Sequence, residues 1–144
     1  MTMDEDVERI LLDEQAIRER ISELAAEIDR DYKDEAPILV GVLKGAVMVV
    51  ADLARAITLD VDMDWMAVSS YGSGTKSSGV VRILKDPSAD ITDRHVLIVE
   101  DIIDSGLTLS WLLRNLQGRH PRSMRVVTLL RKPEVQTAKL ELFD

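Results

Sequence analysis

The residues that could perform chemistry are concentrated just after a short apolar run near the centre of the chain. Residues 96–99, Val-Leu-Ile-Val, predict a strand buried on both faces, and Glu100, Asp101 and Asp104 follow at once. An ionised carboxylate is costly to bury, so these side chains are expected where the strand leaves the core, at its carboxyl end. Open α/β sheets bind their ligands at that edge.

The residues after Asp104 predict a turn that opens a helix. Four leucines recur there at helical spacing and Gly118 supplies an end to the helix: Leu109, Leu112, Leu113 and Leu116. Such a turn presents unpaired backbone N–H groups, the positive end of a helix dipole and the hydroxyls of Ser105 and Thr108, which together suit a phosphate. Neighbouring carboxylates can accept hydrogen bonds from two adjacent hydroxyls, so a ligand with a phosphate and a vicinal diol fits, such as ribose 5-phosphate.

The order of these residues, Glu-Asp-Ile-Ile-Asp-Ser-Gly-Leu-Thr over 100–108, resembles the phosphoribosyl-diphosphate (PRPP) signature of the type I phosphoribosyltransferases. In this form it is most similar to the hypoxanthine-guanine branch. The segment lacks the Gly-Lys-Ser/Thr of a Walker A loop, which disfavours a nucleotide triphosphatase. Without the resemblance, an ordinary strand, turn and helix with a solvated acidic turn is the alternative interpretation.

The resemblance implies transfer of the 5-phosphoribosyl group from PRPP to hypoxanthine or guanine, giving IMP or GMP and pyrophosphate. It implies that Glu100 and Asp101 bind the sugar hydroxyls and lie near Mg²⁺, and that Asp104 exchanges a proton with the purine N7 as general base. The 5′-phosphate is then expected on Ser105, Gly106, Leu107 and Thr108. A xanthine-preferring transferase, a PRPP-binding regulator and an inactive binding domain remain as alternatives.

Three other segments match the same family. Leu43, Lys44 and Gly45 resemble its first active-site loop, which grips the pyrophosphate and in which the Leu-Lys peptide bond is often cis. Ser70 and Tyr71 resemble part of its flexible loop, predicted here over residues 69–79 as a lid that excludes water. Lys132 matches a lysine that donates to the exocyclic oxygen of a 6-oxopurine. Taken alone, these lysines are strand-end cations and residues 69–79 a flexible hairpin.

The remaining segments predict an α/β fold, a doubly wound and mostly parallel sheet with flanking helices and a β-hairpin lid. Asp13 is expected to cap an amphipathic helix over residues 14–31. A second helix, over residues 46–57, is apolar on nearly all sides, which indicates burial in the core or at a subunit contact. The further strands are predicted over residues 38–43, 61–65, 80–84 and 125–130.

Composition limits the other classes of function. The chain has 144 residues, expected as the single domain 1–144, and no cysteine, which excludes disulfides and thiolate metal sites. A net charge of −8 argues against a nucleic-acid partner, and no segment predicts a membrane span. A cytoplasmic location is compatible with these features, and the resemblance implies a homodimer or homotetramer. The family continues into a further strand and loops beyond Asp144, so its carboxyl-terminal segment is expected to be absent from this sequence.

Overall fold

The computed structural model describes residues 3–71 and 80–132. They form a 3-10 helix, three α-helices and five strands. The helices are α1 (Glu14–Asp31), α2 (Val47–Ala56) and α3 (Leu107–Gln117), and the strands are β1 (Ile38–Val42), β2 (Asp62–Tyr71), β3 (Val80–Lys85), β4 (His95–Ile103) and β5 (Ser123–Arg131). None of these α-helices is long and apolar enough to cross a membrane.

The strands form one sheet in the order β3-β2-β1-β4-β5. Strands β2, β1, β4 and β5 are parallel, and β3 pairs antiparallel with β2 at one edge. The predicted doubly wound sheet is therefore confirmed. Since its parallel strands all end at the same edge, the segments that follow β1, β4 and β5 lie next to one another.

Helices cover both faces of the sheet. Helices α1 and α2 pack on one face through a cluster that includes Ile21, Leu24 and Leu53. Helix α3 packs on the other face through Leu109, Leu112, Leu113 and Leu116, the four leucines that predicted it. Because α2 follows β1 and α3 follows β4, both helices begin at the carboxyl edge of the sheet.

The observed elements differ from the predicted ones in three places. Strand β2 continues to Tyr71, so residues 69–71 belong to a strand and the predicted loop is shorter at its start; residues 72–79 lie outside the described residues, and the lid stays a prediction. Strand β4 continues to Ile103, so Glu100 and Asp101 belong to the strand and do not follow it. Helix α2 buries only one face, because Met48 is 75% exposed and Val47 37% exposed.

Candidate active site

All but two of the predicted site residues meet at the carboxyl edge of the sheet. Leu43, Lys44 and Gly45 lie in the connection from β1 to α2. Glu100 and Asp101 lie in the last part of β4, and residues 104–106 connect β4 to α3. Lys132 directly follows β5, where its backbone N–H donates to the Ile103 carbonyl at 2.8 Å. Parallel pairing of β1, β4 and β5 thus brings together segments that are far apart in the chain.

The other two predicted residues, Ser70 and Tyr71, end strand β2. This strand is the next one along the same edge, on the far side of β1 from β4. Their side chains lie outside the described part of the chain, so their role in a lid stays a prediction.

The turn from β4 into α3 lines a small cavity of about 90 Å³ that is open to solvent. It is lined by Glu100, Ile103, Asp104, Ser105, Gly106, Thr108 and Leu109. Gly106 adopts φ 81°, a left-handed conformation that favours glycine, and this turns the chain sharply into the helix. The amino end of α3, the hydroxyl groups of the turn and two carboxylates therefore surround a space suited to one phosphate group.

The residues directly before α2 and α3 do not cap their helices through a side chain, unlike the residue before α1. Asp13 caps α1 as predicted, because its carboxylate accepts a hydrogen bond from the Ala16 N–H at 2.8 Å. Neither Ala46 before α2 nor Gly106 before α3 provides a side-chain hydrogen bond to its helix. At α2 the Val47 N–H donates to the Lys44 carbonyl at 3.1 Å, and at α3 the Leu107 N–H donates to Oγ of Ser105 at 3.3 Å. The next N–H groups of each first turn have no partner within the helix, so the amino ends of α2 and α3 can both donate to an anion.

The first active-site loop is held between β2 and β4. The Leu43 N–H donates to the Met66 carbonyl at 2.7 Å, and the Leu43–Lys44 peptide bond is cis, as in the family that the sequence resembles. A Cβ atom built on Gly45 would lie 2.5 Å from Oδ2 of Asp101, so the loop backbone and this carboxylate are in direct contact.

Glu100 and Asp101 point to opposite faces of β4, because successive strand residues alternate. Glu100 lines the cavity beside α3, whereas Asp101 lies beside Gly45 on the face of α2. Burial, and secondarily the charge of Asp101, raise the pKa of Glu100 from 4.5 to about 7. One Asp101 oxygen, Oδ1, accepts a hydrogen bond from the Ile102 N–H at 2.8 Å. The two carboxylates therefore occupy different environments although they are neighbours in sequence.

Asp104 and Lys132 meet beside the cavity. The Lys132 Nζ lies 3.9 Å from Oδ2 of Asp104, and both side chains are more than half exposed. An ion pair so exposed contributes little to stability, so the contact leaves both groups accessible to a ligand.

Sequence reasoning missed two residues of this site and one contact. Ile103 and Leu109 line the cavity. In the sequence, only their apolar character and their position beside the acidic turn could have indicated this. The contact between Gly45 and Asp101 has no sequence signal, because the two residues lie in segments that approach one another only through the pairing of β1 with β4.

A doubly wound sheet with acidic groups and the amino ends of two helices at its carboxyl edge defines an α/β protein suited to binding a phosphorylated ligand. Comparison with known proteins agrees with this class. Residues 8–143 match the family model described as the phosphoribosyl transferase domain.

The relatives narrow the family further. The chain is 58% identical over 143 residues to a hypoxanthine-guanine phosphoribosyltransferase of Mycobacterium avium, covering 95% of this chain and 70% of that protein. It is 45% identical to the Bacillus subtilis protein of the same name, covering 96% of this chain and 77% of that protein. A crystal structure of a Staphylococcus aureus hypoxanthine phosphoribosyltransferase superposes with a TM-score of 0.93 at 40% identity, covering 97% of this chain and 76% of that one. The chain therefore belongs to the hypoxanthine-guanine phosphoribosyltransferases within the phosphoribosyltransferase family.

Proposed function

We propose that this protein transfers the 5-phosphoribosyl group of PRPP to hypoxanthine or guanine, producing IMP or GMP and pyrophosphate in purine salvage. The observation that carries the proposal is the cavity of about 90 Å³ at the amino end of α3, which places a phosphate-sized space beside Glu100 and Asp104. The family to which the chain belongs supports the same reaction, since its members in the comparison are named for it.

The residues around the cavity suit the phosphoribosyl half of PRPP. The 5′-phosphate is bound by the amino end of α3, where the backbone of Ser105, Gly106, Leu107 and Thr108 donates and the two hydroxyls add hydrogen bonds. Glu100 and Asp101 accept hydrogen bonds from the ribose hydroxyls. The pyrophosphate then extends towards Lys44 and Gly45, where the uncapped amino end of α2 also favours an anion.

Asp104 is the general base in this proposal. The purine N9 forms a bond to C1 of the ribose, the bond from C1 to the pyrophosphate oxygen breaks, and the proton on purine N7 passes to the Asp104 carboxylate. Lys132, at 3.9 Å from that carboxylate, donates to the exocyclic oxygen of the base. A 6-amino group cannot accept that hydrogen bond, so adenine is disfavoured.

Mg²⁺ fits this site as a partner of the substrate. Among residues 3–71 and 80–132, no group of three or more acidic, histidine or cysteine side chains could hold a metal ion. Mg²⁺ is commonly held by one or two carboxylates together with substrate phosphates, so Glu100 and Asp101 would suffice once PRPP supplies its oxygens. The ion would neutralise charge on the departing pyrophosphate.

The other proposed properties follow the family. Residues 69–79, which include Ser70 and Tyr71, close over PRPP, the protein acts in the cytoplasm, and copies associate as dimers or tetramers. The single domain covers 1–144, and this chain spans 70% of the length of the Mycobacterium avium protein.

Nucleotide formation tests the proposal. The protein is mixed with PRPP, Mg²⁺ and, separately, hypoxanthine, guanine, xanthine and adenine. IMP and GMP are expected, and adenine should give no product. A faster reaction with xanthine would assign a different 6-oxopurine, while PRPP binding without any product would favour a regulator or an inactive binding domain.

Asp104→Asn tests the assignment of the base. The variant keeps the shape of the side chain but cannot accept the N7 proton, so kcat should fall by a factor of about 10² or more while PRPP affinity changes less than about threefold. Equal loss of turnover and of PRPP affinity would contradict the role of Asp104.

A further inference from the structure

We infer that Asp101 positions the loop formed by Leu43, Lys44 and Gly45. Glycine is required at position 45 because the Asp101 carboxylate occupies the space that a side chain there would need. The inference deepens the proposed function and rests on it for the identity of the ligand. It adds, to the contacts with ribose and Mg²⁺ proposed for both carboxylates, a task that Asp101 does not share with Glu100.

The geometry around Gly45 carries this inference. A Cβ atom on Gly45 would lie 2.5 Å from Oδ2, 2.8 Å from Cγ and 3.0 Å from Oδ1 of Asp101. A Cβ atom cannot approach other heavy atoms so closely unless one side moves. The three atoms that it would meet all belong to the Asp101 carboxylate. Among the described glycines, Gly106 is the one with positive φ, so Gly45 is not required for a left-handed backbone. The contact is the reason for glycine at this position.

The Asp101 carboxylate is itself held in place. Its Oδ1 accepts a hydrogen bond from the Ile102 N–H at 2.8 Å, within strand β4. Strand β4 pairs with β1 up to Gly41, so the carboxylate projects from a fixed strand against the loop that continues β1. A short side chain anchored in this way has few rotamers available for avoiding a new methyl group.

The loop has further anchors on its other side. The Leu43 N–H donates to the Met66 carbonyl at 2.7 Å, and the Val47 N–H donates to the Lys44 carbonyl at 3.1 Å as α2 begins. The loop is thus fixed between β2 and the Asp101 carboxylate of β4. A shift of the loop at Gly45 would move Lys44 and the amino end of α2, which are the groups proposed to bind pyrophosphate.

A double-mutant cycle of Gly45→Ala and Asp101→Ala tests the contact. In the parent protein, Gly45→Ala should weaken the binding of inorganic pyrophosphate at least about tenfold, measured by calorimetry without Mg²⁺, so that the proposed role of Asp101 as a Mg²⁺ ligand does not enter the comparison. It should lower Tm by about 3 °C or more, because overpacking of this kind is destabilising. In the Asp101→Ala protein, where the carboxylate is gone, adding Gly45→Ala should change pyrophosphate affinity less than about twofold and leave Tm within about 1 °C.

Two controls separate positioning from general damage. Gly118→Ala places a methyl group 3.4 Å from the nearest atom, the Asn115 carbonyl oxygen, and should leave Tm and pyrophosphate affinity unchanged. Inorganic phosphate lacks the ribose that Asp101 is proposed to contact. Its affinity for the turn between β4 and α3, followed by the amide shifts of Ser105 and Gly106, should stay within about twofold in Gly45→Ala.

The outcomes are distinguishable. An equal effect of Gly45→Ala with and without the Asp101 carboxylate would overturn the inference, as would a lower Tm with unchanged pyrophosphate affinity. Failure of the parent protein to bind pyrophosphate even with Mg²⁺ present would overturn the proposed function, whereas binding followed by additive effects would overturn only the role of Asp101.

Discussion

Glu100 is expected to release a proton when PRPP and Mg²⁺ bind. Burial and the nearby charge of Asp101 raise its pKa to about 7, so below neutral pH the free protein holds it largely protonated. A carboxylate that accepts hydrogen bonds from ribose hydroxyls beside a divalent cation is ionised, since both contacts favour the charged form. Binding therefore requires the proton to leave.

The size of the effect follows from the pKa of Glu100. Release of roughly 0.9 proton is expected at pH 6 and roughly 0.1 at pH 8, and the affinity contribution of Glu100 should weaken about tenfold per unit of pH below 7. Calorimetry in two buffers of different ionisation enthalpy measures this release. The phosphates of PRPP also titrate at a pKa of about 6, so the relevant quantity is the difference between the parent protein and Glu100→Gln.

The same group affects folding stability. Its native pKa of about 7 lies above the ordinary value of 4.5, so between these values the native state binds more protons than the unfolded state. The free energy of unfolding then falls as pH rises from 4.5 to 7, by at most about 3 kcal/mol. Glu100→Gln should be the more stable protein at pH 8 and should match the parent near pH 4. Equal proton release by both proteins at pH 6, or a parent stability that rises relative to the variant from pH 4.5 to 7, would refute this reasoning.

Three further predictions concern the structure that supports the site. Burial acts to raise the pKa of Asp64, but hydrogen bonds from the N–H groups of Ala89, Trp65 and Ser88 outweigh it and hold the pKa below its usual value. Asp64→Asn should lower the free energy of unfolding by about 2 kcal/mol in urea at pH 7. The loss should shrink as pH falls below about 4, because the carboxyl of the unfolded chain then protonates before the native one. Gly41→Ala would place a Cβ atom 2.7 Å from the Trp65 ring and should cost about 1–3 kcal/mol in the same assay, and a variant as stable as the parent would contradict the packing. The Tyr32 hydroxyl is buried without a hydrogen-bond partner among the described residues, so Tyr32→Phe should leave Tm unchanged or higher, and a clear loss of Tm would contradict that assignment.

Much of the fold could be predicted because local signals agreed with tertiary packing. Helix α1 begins and ends where its cap and its apolar face predicted, since Asp13 caps it and Ile21, Leu24 and Ile28 are all buried. The buried run of residues 96–99 located strand β4 correctly. The end of this strand at Ile103 could not be predicted from hydrophobicity, because β4 includes two carboxylates before it ends. Continued pairing with β5 extends the strand past them.

The extent of burial on α2 was not readable either. Its apolar residues surround the helix in sequence, but only Val49, Val50 and Leu53 are buried, and Met48 remains exposed. The spacing of apolar residues along a helix indicates which of them could be buried. Which of them are buried depends on how much of the helix the packed elements cover.

The candidate site was predictable as a set of residue types and not as a set of contacts. The acidic motif identified the residues of the turn. Because it follows a buried apolar run, it also predicted that they lie at the edge of the sheet. The sequence does not show that Glu100 and Asp101 have different neighbours, because that depends on which helix covers each face of β4. Spatial contacts between distant loops, such as that of Lys132 with Asp104, likewise depend on strand order.

The turn between β4 and α3 is proposed to bind the phosphate of a sugar phosphate. Titration of the ¹⁵N-labelled protein with ribose 5-phosphate, followed by amide chemical shifts, locates the binding directly. The largest changes are predicted at the amides of Ser105, Gly106, Leu107 and Thr108, with ribose alone producing none of them. Changes centred elsewhere, or no change at millimolar ribose 5-phosphate, would contradict the account.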